Sequence, residues 1–396
     1  MTCPALAGRP RWDIAEIVRR HRAKLEAHVR LTLEQRGVLR AIELCRTAAL
    51  GGHLDVCRAC GYEHAAYNSC RNRHCPKCQA LAQERWIGAR AERLLPVHHF
   101  HVVFTLPSEL RGLAKFRPRE LYDALFAAAA ETLLKLGRTR LSAKLGVTMV
   151  LHTWTRDLRL HPHVHAIVTA GGLGIEGEGW RPSSQKYLFP VQVMGALLRG
   201  KMMDALRRLH ARGVFSRFDD FADPEGFDSL MGRLAKIDWL VHVKKPFRDA
   251  RFVLRYLGRY THRVAISNSR LVAVTDDVVT FRTKDGKTAT LGPVEFLRRF
   301  VQHVLPDGLH KIRHFGLYAG THAHGALLVA RTALSTSAAA AVQPLGGENS
   351  TATASWSQLL CLLTGRDPDR CPRCGERLEH VPVVPSARAP PQRLVA

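Results

Sequence analysis

Between His53 and Gln79 the chain is rich in Cys, His, Asn and Arg and poor in apolar residues, so this stretch cannot be held together by a core of its own. A covalent or metal staple must replace that core. The segment carries Cys57-x2-Cys60, fourteen further residues, then Cys75-x2-Cys78. Two such knuckles can place four thiolates around one tetrahedral zinc, so Cys57, Cys60, Cys75 and Cys78 are expected to bind one structural zinc. A disulfide framework is the alternative, which the reduced thiols of a cytosolic protein disfavour. Cys70 and His74 lie in the same segment and could replace one ligand or form a second site. Farther on, Cys371-x2-Cys374, with Cys361 and His380 nearby, is half of a zinc site or two unliganded thiols. Cys3 and Cys45 carry no spacing signal, and Cys45, at a helix end, reads as a small buried hydrophobe.

The remainder can bury a core: 396 residues, 46% hydrophobic and 23% charged, are ordinary values for a folded protein. No apolar run approaches the ~18 residues that span a bilayer, and the N-terminus lacks the apolar centre of a signal peptide. A cytoplasmic, nucleoid-associated protein with no membrane partner is therefore expected. The 59 Lys and Arg outnumber the 34 Asp and Glu, a net charge of +25, and the excess is carried by residues 1–320 rather than by a tail. A polyanion is the natural partner, and nucleic acid fits better than lipid because lipidation signals and isolated polybasic runs are lacking.

Apolar spacing predicts two amphipathic helices within 12–50, a basic helix over 80–95, a strand over 100–106 and a long helix over 119–136. Two β-branched runs, 147–154 and 163–169, read as neighbouring strands. A helix over 190–211, an acidic loop over 219–228, a strand over 237–243 and a helix over 248–262 follow. Residues 271–290 read as a hairpin turning at Asp285-Gly286. The organisation expected is an N-terminal helical and zinc-binding domain (1–95), a main domain (96–330), a low-complexity linker (331–356) and a C-terminal tail with its Cys pair (357–396).

Two further patterns could carry chemistry, and a third is a near-miss. In His161-Pro-His163-Val-His165 the last two imidazoles project from one face of a strand, as residues two apart do, and suit one divalent ion. His152 on the preceding strand and His101 on the first are candidates for a third ligand. Among 21 histidines, chance neighbours are the plain alternative. In the segment 244–263, Tyr256 and Tyr260 share a helix face beside a stripe of Arg251, Arg255 and Arg259. Lys244, Lys245 and Arg263 add to this basic run, and the plain alternative is a core-facing aromatic row with solvated arginines. Gly195-x4-Gly200-Lys201 has the outline of a phosphate loop, but Met202 stands where Ser or Thr is required.

The strings YNSCRNRHCPKCQ, FHVVFTLP, HPHVHAIVTAGG and YLGRYTHRVAISN occur in an order that resembles the transposases of the insertion sequence 91 family. The resemblance covers roughly residues 12–330. It implies an α+β fold: a ferredoxin-like HUH endonuclease core, an antiparallel sheet flanked by helices, behind an N-terminal zinc-binding domain. It further implies metal-dependent nicking and strand transfer of single-stranded DNA, at the element's ends and at the target, in rolling-circle transposition. Tyr256 and Tyr260 would be the nucleophiles that form 5′-phosphotyrosine, and His163, His165 and His152 would hold Mg or Mn. Arg251, Arg255, Arg259, Arg263, Lys244 and Lys245 would bind DNA. The competing classes are a non-catalytic zinc-dependent DNA-binding protein and an HUH replication initiator or relaxase.

Overall fold

The computed structural model describes residues 10–177, 179–184, 186–221, 224–247, 258, 264–320, 323–336 and 354–383. Two amphipathic helices, α1 (Ile14–His28) and α2 (Leu33–Leu44), come first, and their ends are written locally. Asp13 accepts from the Ala15 amide at the start of α1, and Thr32 with Gln35 closes a capping box on α2. A hairpin of β1 (Gly52–Val56) and β2 (Glu63–Tyr67) follows, then α3 (Ala80–Ala91). The middle of the chain runs β3 (His99–Thr105), α4 (Arg111–Phe116), α5 (Pro118–Leu141), β4 (Ala143–Trp154), β5 (Leu160–Gly174), β6 (Trp180–Pro182), α6 (Val191–Ala211), α7 (Pro224–Lys236) and β7 (Val241–Phe247). After it come β8 (Leu271–Val274), β9 (Val279–Arg282), β10 (Thr288–Leu291), α8 (Pro293–Val301), β11 (Ile312–Gly316), α9 (Ala323–Ser335), α10 (Trp356–Thr364) and β12 (Glu379–Val383).

The large sheet has the order β11-β4-β5-β3-β7, with β6 on β5, and every pairing is antiparallel. Its succession β3-α5-β4-β5-α6-β7 is strand, helix, strand, strand, helix, strand. The second, third, first and fourth of these strands lie side by side. This is ferredoxin-like connectivity, and β11 extends it beside β4.

Alternation along the strands gives the sheet two unlike faces. One carries Phe100, Val102, Phe104, Val147, Met149, Leu151, Val164, Ala166 and Val168, all buried against apolar residues of α4 to α7 in the main core. The other is lined with histidines. A second core joins α1 and α2 to the β8-β9-β10 sheet and α8, through Ile17, Leu39, Phe281, Phe296 and Phe300. The third sheet, β12-β1-β2, pairs a C-terminal strand with the N-terminal hairpin.

Several sequence readings shift. The acidic stretch 219–228 contains the start of α7, and the strand expected at 237–243 begins at Val241, because Trp239 folds back to donate its Nε1–H to Leu234 O at 3.1 Å. Residues 271–291 form a three-stranded meander rather than one hairpin, although the turn does fall at Asp285 (φ 55°) and Gly286 (φ 75°). The helix expected at 248–262 lies outside the described residues except for Gly258. The stretch read as a linker is helical through Ser335, and 337–353 lie outside the described residues. α10, which starts at the last residue of the expected linker, and β12 occupy much of the described part of the stretch read as a tail (357–396). Among the described residues no helix is long and apolar enough to cross a membrane.

Candidate active site and metal centres

On the polar face of the sheet, β4 and β5 place His152 directly opposite His163, and Val150 opposite His165. One ring nitrogen from each of His152, His163 and His165 lies within 4.8 Å of the others. The rings meet closely, with centroids 4.1 Å apart for His152 and His165 and 4.8 Å for His163 and His165. His101 on β3 does not join this group of three; its Nε2 is 2.7 Å from Nδ1 of His165, a hydrogen bond that orients that ring.

Burial keeps these imidazoles neutral. It lowers His163 and His101 to about 4. It also drives His152 and His165 well below the ordinary histidine range, with further depression from the histidines beside them. Neutral imidazole is the form that binds a metal, so the donor set fits a divalent cation.

Helix α3 lies over this face. Its Trp86 packs on Val150 and Ile167, the immediate neighbours of His165 across and along the sheet. Gly258, with Tyr256 and Tyr260 two residues to either side, is buried against the same helix. A Cβ there would fall 2.5 Å from Ile87 Cδ1. Tyr256, Tyr260, Arg251, Arg255, Arg259 and Arg263 themselves lie outside the described residues. Lys244 is exposed on β7 and paired in register with His101; of Lys245 only the backbone, in β7, is described.

The sequence reading missed three features around this face. Arg90 of α3 and Arg93, just beyond its end, line a cavity with Thr148, Ile167, His314 and Tyr318, on the β4-β11 side of the histidines. Lys311, buried just before β11, has its ammonium lowered to about 7 by desolvation, and its charge in turn helps depress His152. His303, also buried, is fixed between Thr153 Oγ1 and the Leu158 carbonyl. No local motif marks any of them.

The cysteines do not combine as their spacing predicts. Cys57 and Cys60 sit at the tip of the β1-β2 hairpin, and Cys75 and Cys78 beyond its base. Five residues of strand separate the two ends, about 17 Å. The sulfurs of Cys75 and Cys78 gather instead with those of Cys45 and Cys70, and those of Cys57 and Cys60 with Cys371 and Cys374; each set of four lies within 4.8 Å. Cys45 is thus a member of a cluster, not an isolated hydrophobe. Four thiolates around zinc lie about 3.8 Å apart for Zn–S bonds of about 2.3 Å. The observed Sγ···Sγ distances are 3.6 Å for Cys70–Cys78, 3.5 Å for Cys57–Cys374 and 3.6 Å for Cys60–Cys371, so both sets fit.

His74 has a different task from the ligand role left open for it. Its Nδ1 bonds Asn72 Oδ1 at 3.1 Å and its Nε2 accepts from the Leu305 amide at 3.2 Å. Beside it, Arg73 donates to the carbonyls of Pro306 and Leu309. The loop bearing Cys70, Cys75 and Cys78 is therefore bolted to the segment that leads into β11. Lys77 of that loop pairs with Asp13 at 2.7 Å, and Asn268 donates to the other oxygen of the same carboxylate.

A histidine-lined ferredoxin-like sheet joined to a cysteine-held N-terminal unit is matched by two family models, both of transposases. Residues 17–106 match the "Transposase zinc-binding domain" and residues 146–325 the family described as "Putative transposase". Over 393 residues, 96% of this chain and 97% of the relative, the sequence is 38% identical to "Putative transposase y4qJ" of Sinorhizobium fredii. It is 32% identical over 303 residues, 72% of this chain and 73% of the relative, to the "Transposase for insertion sequence element IS801" of Pseudomonas savastanoi pv. phaseolicola. The chain belongs to the transposases of the insertion sequence 91 family, enzymes that process DNA. No solved structure matches it.

Proposed function

We propose that this transposase nicks and rejoins single-stranded DNA through 5′-phosphotyrosine linkages on Tyr256 and Tyr260, in rolling-circle transposition. The observation that carries the reading is the convergence of three buried, neutral imidazoles, His152, His163 and His165, on the polar face of the sheet beneath α3. Gly258 touches α3 one residue from Trp86, and Tyr256 and Tyr260 stand two residues to either side of it in the sequence, which supports the reading.

In nicking, a tyrosine oxygen attacks the scissile phosphorus, the bond to the 3′-oxygen breaks, and the phenol proton is delivered to that oxygen; in rejoining, a 3′-hydroxyl attacks the phosphotyrosine, the bond to the phenolic oxygen breaks, and the hydroxyl proton returns to the phenol. One phosphodiester replaces another, so no nucleotide cofactor is consumed. A phenol has an ordinary pKa near ~10 and needs activation. A divalent ion held by His152, His163 and His165 would supply charge neutralisation at the phosphate. Imidazole donors suit Mn better than Mg. The net charge of +25, with Lys244, Arg90 and Arg93 beside the histidine face, supplies phosphate contacts. The zinc expected of the N-terminal domain would be held by Cys45, Cys70, Cys75 and Cys78, which fix the start of α3.

The test is incubation of the full chain with labelled single strands from the ends of its element, with Mn, followed by denaturing electrophoresis. A covalent adduct is expected, lost when Tyr256→Phe and Tyr260→Phe are combined. His163→Ala should cut nothing while still binding single strands. An adduct formed by the double Phe variant would place the nucleophile elsewhere, and failure of the parent to form any would leave a DNA-binding protein without this chemistry.

A further inference from the structure

We propose that Cys57, Cys60, Cys371 and Cys374 bind a second structural zinc, separate from the one at Cys45, Cys70, Cys75 and Cys78, that clasps the C-terminal segment onto the N-terminal hairpin. The two halves of this site have the same local design. In Cys57-Arg-Ala-Cys60-Gly61-Tyr62 the Cys57 amide donates to Tyr62 O, and the Gly61 amide to Cys57 O. In Cys371-Pro-Arg-Cys374-Gly375-Glu376 the Cys371 amide donates to Glu376 O, and the Gly375 amide to Cys371 O. Gly61 (φ 67°) and Gly375 (φ 82°) occupy the left-handed region at the matching position of each turn. Two turns of one geometry, facing each other with crossed Sγ pairs at 3.5 and 3.6 Å, are the construction of a Cys₄ zinc ribbon. Cys75-Pro-Lys-Cys78 is followed by Gln79 and lacks this turn glycine.

Other contacts hold the same two parts together but could not by themselves close the site. β12 pairs with β1 over five residues, Arg58 pairs with Glu379 at 2.7 Å, and His380 Nδ1 lies 2.7 Å from Asp55 Oδ1. The apolar content at the junction is small: Cys57, Cys371 and Leu378 are its buried members. An interface with so little burial needs the metal. The sulfurs are too far apart for disulfides, whose S–S bond is ~2.05 Å. The segment so clasped includes α10, which packs on α3, the helix over the histidine face. The second zinc therefore ties the segment from α10 to β12 to the cover of the proposed catalytic site.

In a His163→Ala background, which empties the histidine site, zinc analysis of the purified full chain should return two ions per chain, and adding the double variant Cys371→Ser, Cys374→Ser should leave one. In that variant limited proteolysis should cut within 354–383, where the parent resists. Iodoacetamide labelling of the parent supplies a readout that needs no variant. Cys374 is exposed, so as a free thiol it would alkylate at once. As a zinc ligand it should stay protected until a chelator is added, and then react together with Cys57, Cys60 and Cys371. Rapid labelling of Cys374 in zinc-loaded parent, two zinc ions retained by the double variant in the His163→Ala background, or protection released by reductant but not by chelator would each overturn the proposal.

Discussion

Substituting Gly258 sets two opposed effects against each other in a way that reports where the tyrosine-bearing segment lies. A Cβ at this position falls 2.5 Å from Ile87 Cδ1, 2.8 Å from Ile87 Cγ1 and 3.4 Å from Gln83 Cγ. Carbons in ordinary contact sit ~3.5–4.0 Å apart, so the Ile87 side chain must retreat by about 1 Å. It has little room, being 8% exposed. Overpacking of this kind costs about 1–3 kcal/mol. Gly258 is helical, so alanine also recovers about 1 kcal/mol of helix propensity. The expected net effect of Gly258→Ala is a loss of about 1 kcal/mol, with reduced adduct yield if Tyr256 and Tyr260, two residues to either side in the sequence, are the nucleophiles. Ile87→Ala alone should cost about 2–5 kcal/mol. In that background the clash is gone, and Gly258→Ala should stabilise by about 1 kcal/mol. Urea denaturation of the four proteins measures the coupling, expected to be about 1–3 kcal/mol. If Gly258→Ala is stabilising to the same extent in both backgrounds, residue 258 does not touch α3 and its support for the tyrosine reading fails.

The remaining predictions concern individual side chains. Cys45→Ser should lower zinc content as much as Cys75→Ser does, and combining them should remove no more; full zinc in Cys45→Ser would exclude it as a ligand. His101→Phe keeps a ring but loses the bond to His165, so metal affinity at the histidine site should fall ~10–100-fold with single-strand binding unchanged, read by titration with Mn. His303 stays neutral down to about pH 4 in the fold but protonates near 6.5 when unfolded. Between these values the unfolded chain holds more protons, so stability falls as pH falls, by about 2 kcal/mol at pH 5 from this group alone. His303→Gln should remove that part of the pH dependence in denaturant melts, and an unchanged slope from pH 7 to 5 would refute it. Binding to a labelled single strand should weaken steeply between 50 and 200 mM salt; a flat response would mean that phosphate contacts do not carry the affinity.

What the sequence made legible was whatever repeats with a short period. The alternation in FHVVFTL and HPHVHAIV placed β3 and β5 and put His163 and His165 on one face, because side-chain direction in a strand is set by the pleat alone. His152 followed from the short return between β4 and β5. The Asp285-Gly286 turn was legible because few residue pairs tolerate two left-handed positions.

Partnerships across long separations were not legible. Nothing near Cys45 announces Cys70, and pairing Cys57 with Cys75 assumed that two knuckles in one segment must meet, which the length of the intervening hairpin prevents. One signal was present and passed over: a glycine follows Cys60 and Cys374 but not Cys78, which marks the first two as alike. α7 was hidden by the acidic stretch that runs into its first turns, and its apolar residues Phe227, Leu230, Met231 and Leu234 show the helical spacing only from Phe227 onward.

The pairing of β1 with β12 sets an order of events during synthesis. Cys60 and Cys371 are 311 residues apart, and a ribosome adding ~5–20 residues per second takes about 15–60 s to make the stretch between them. Throughout that time β1 has only β2 beside it, while the β-sheet and helices between can fold. Closure comes last, and its chain entropy is modest, since such a cost grows only with the logarithm of loop length. A copy of the gene interrupted between codons 67 and 371 thus yields a chain with a bare β1 edge and two unpartnered thiols at its hairpin tip, a ready substrate for aggregation or degradation. Quality control on this fold can therefore act as a length check: only a chain read through β12 presents a finished ribbon.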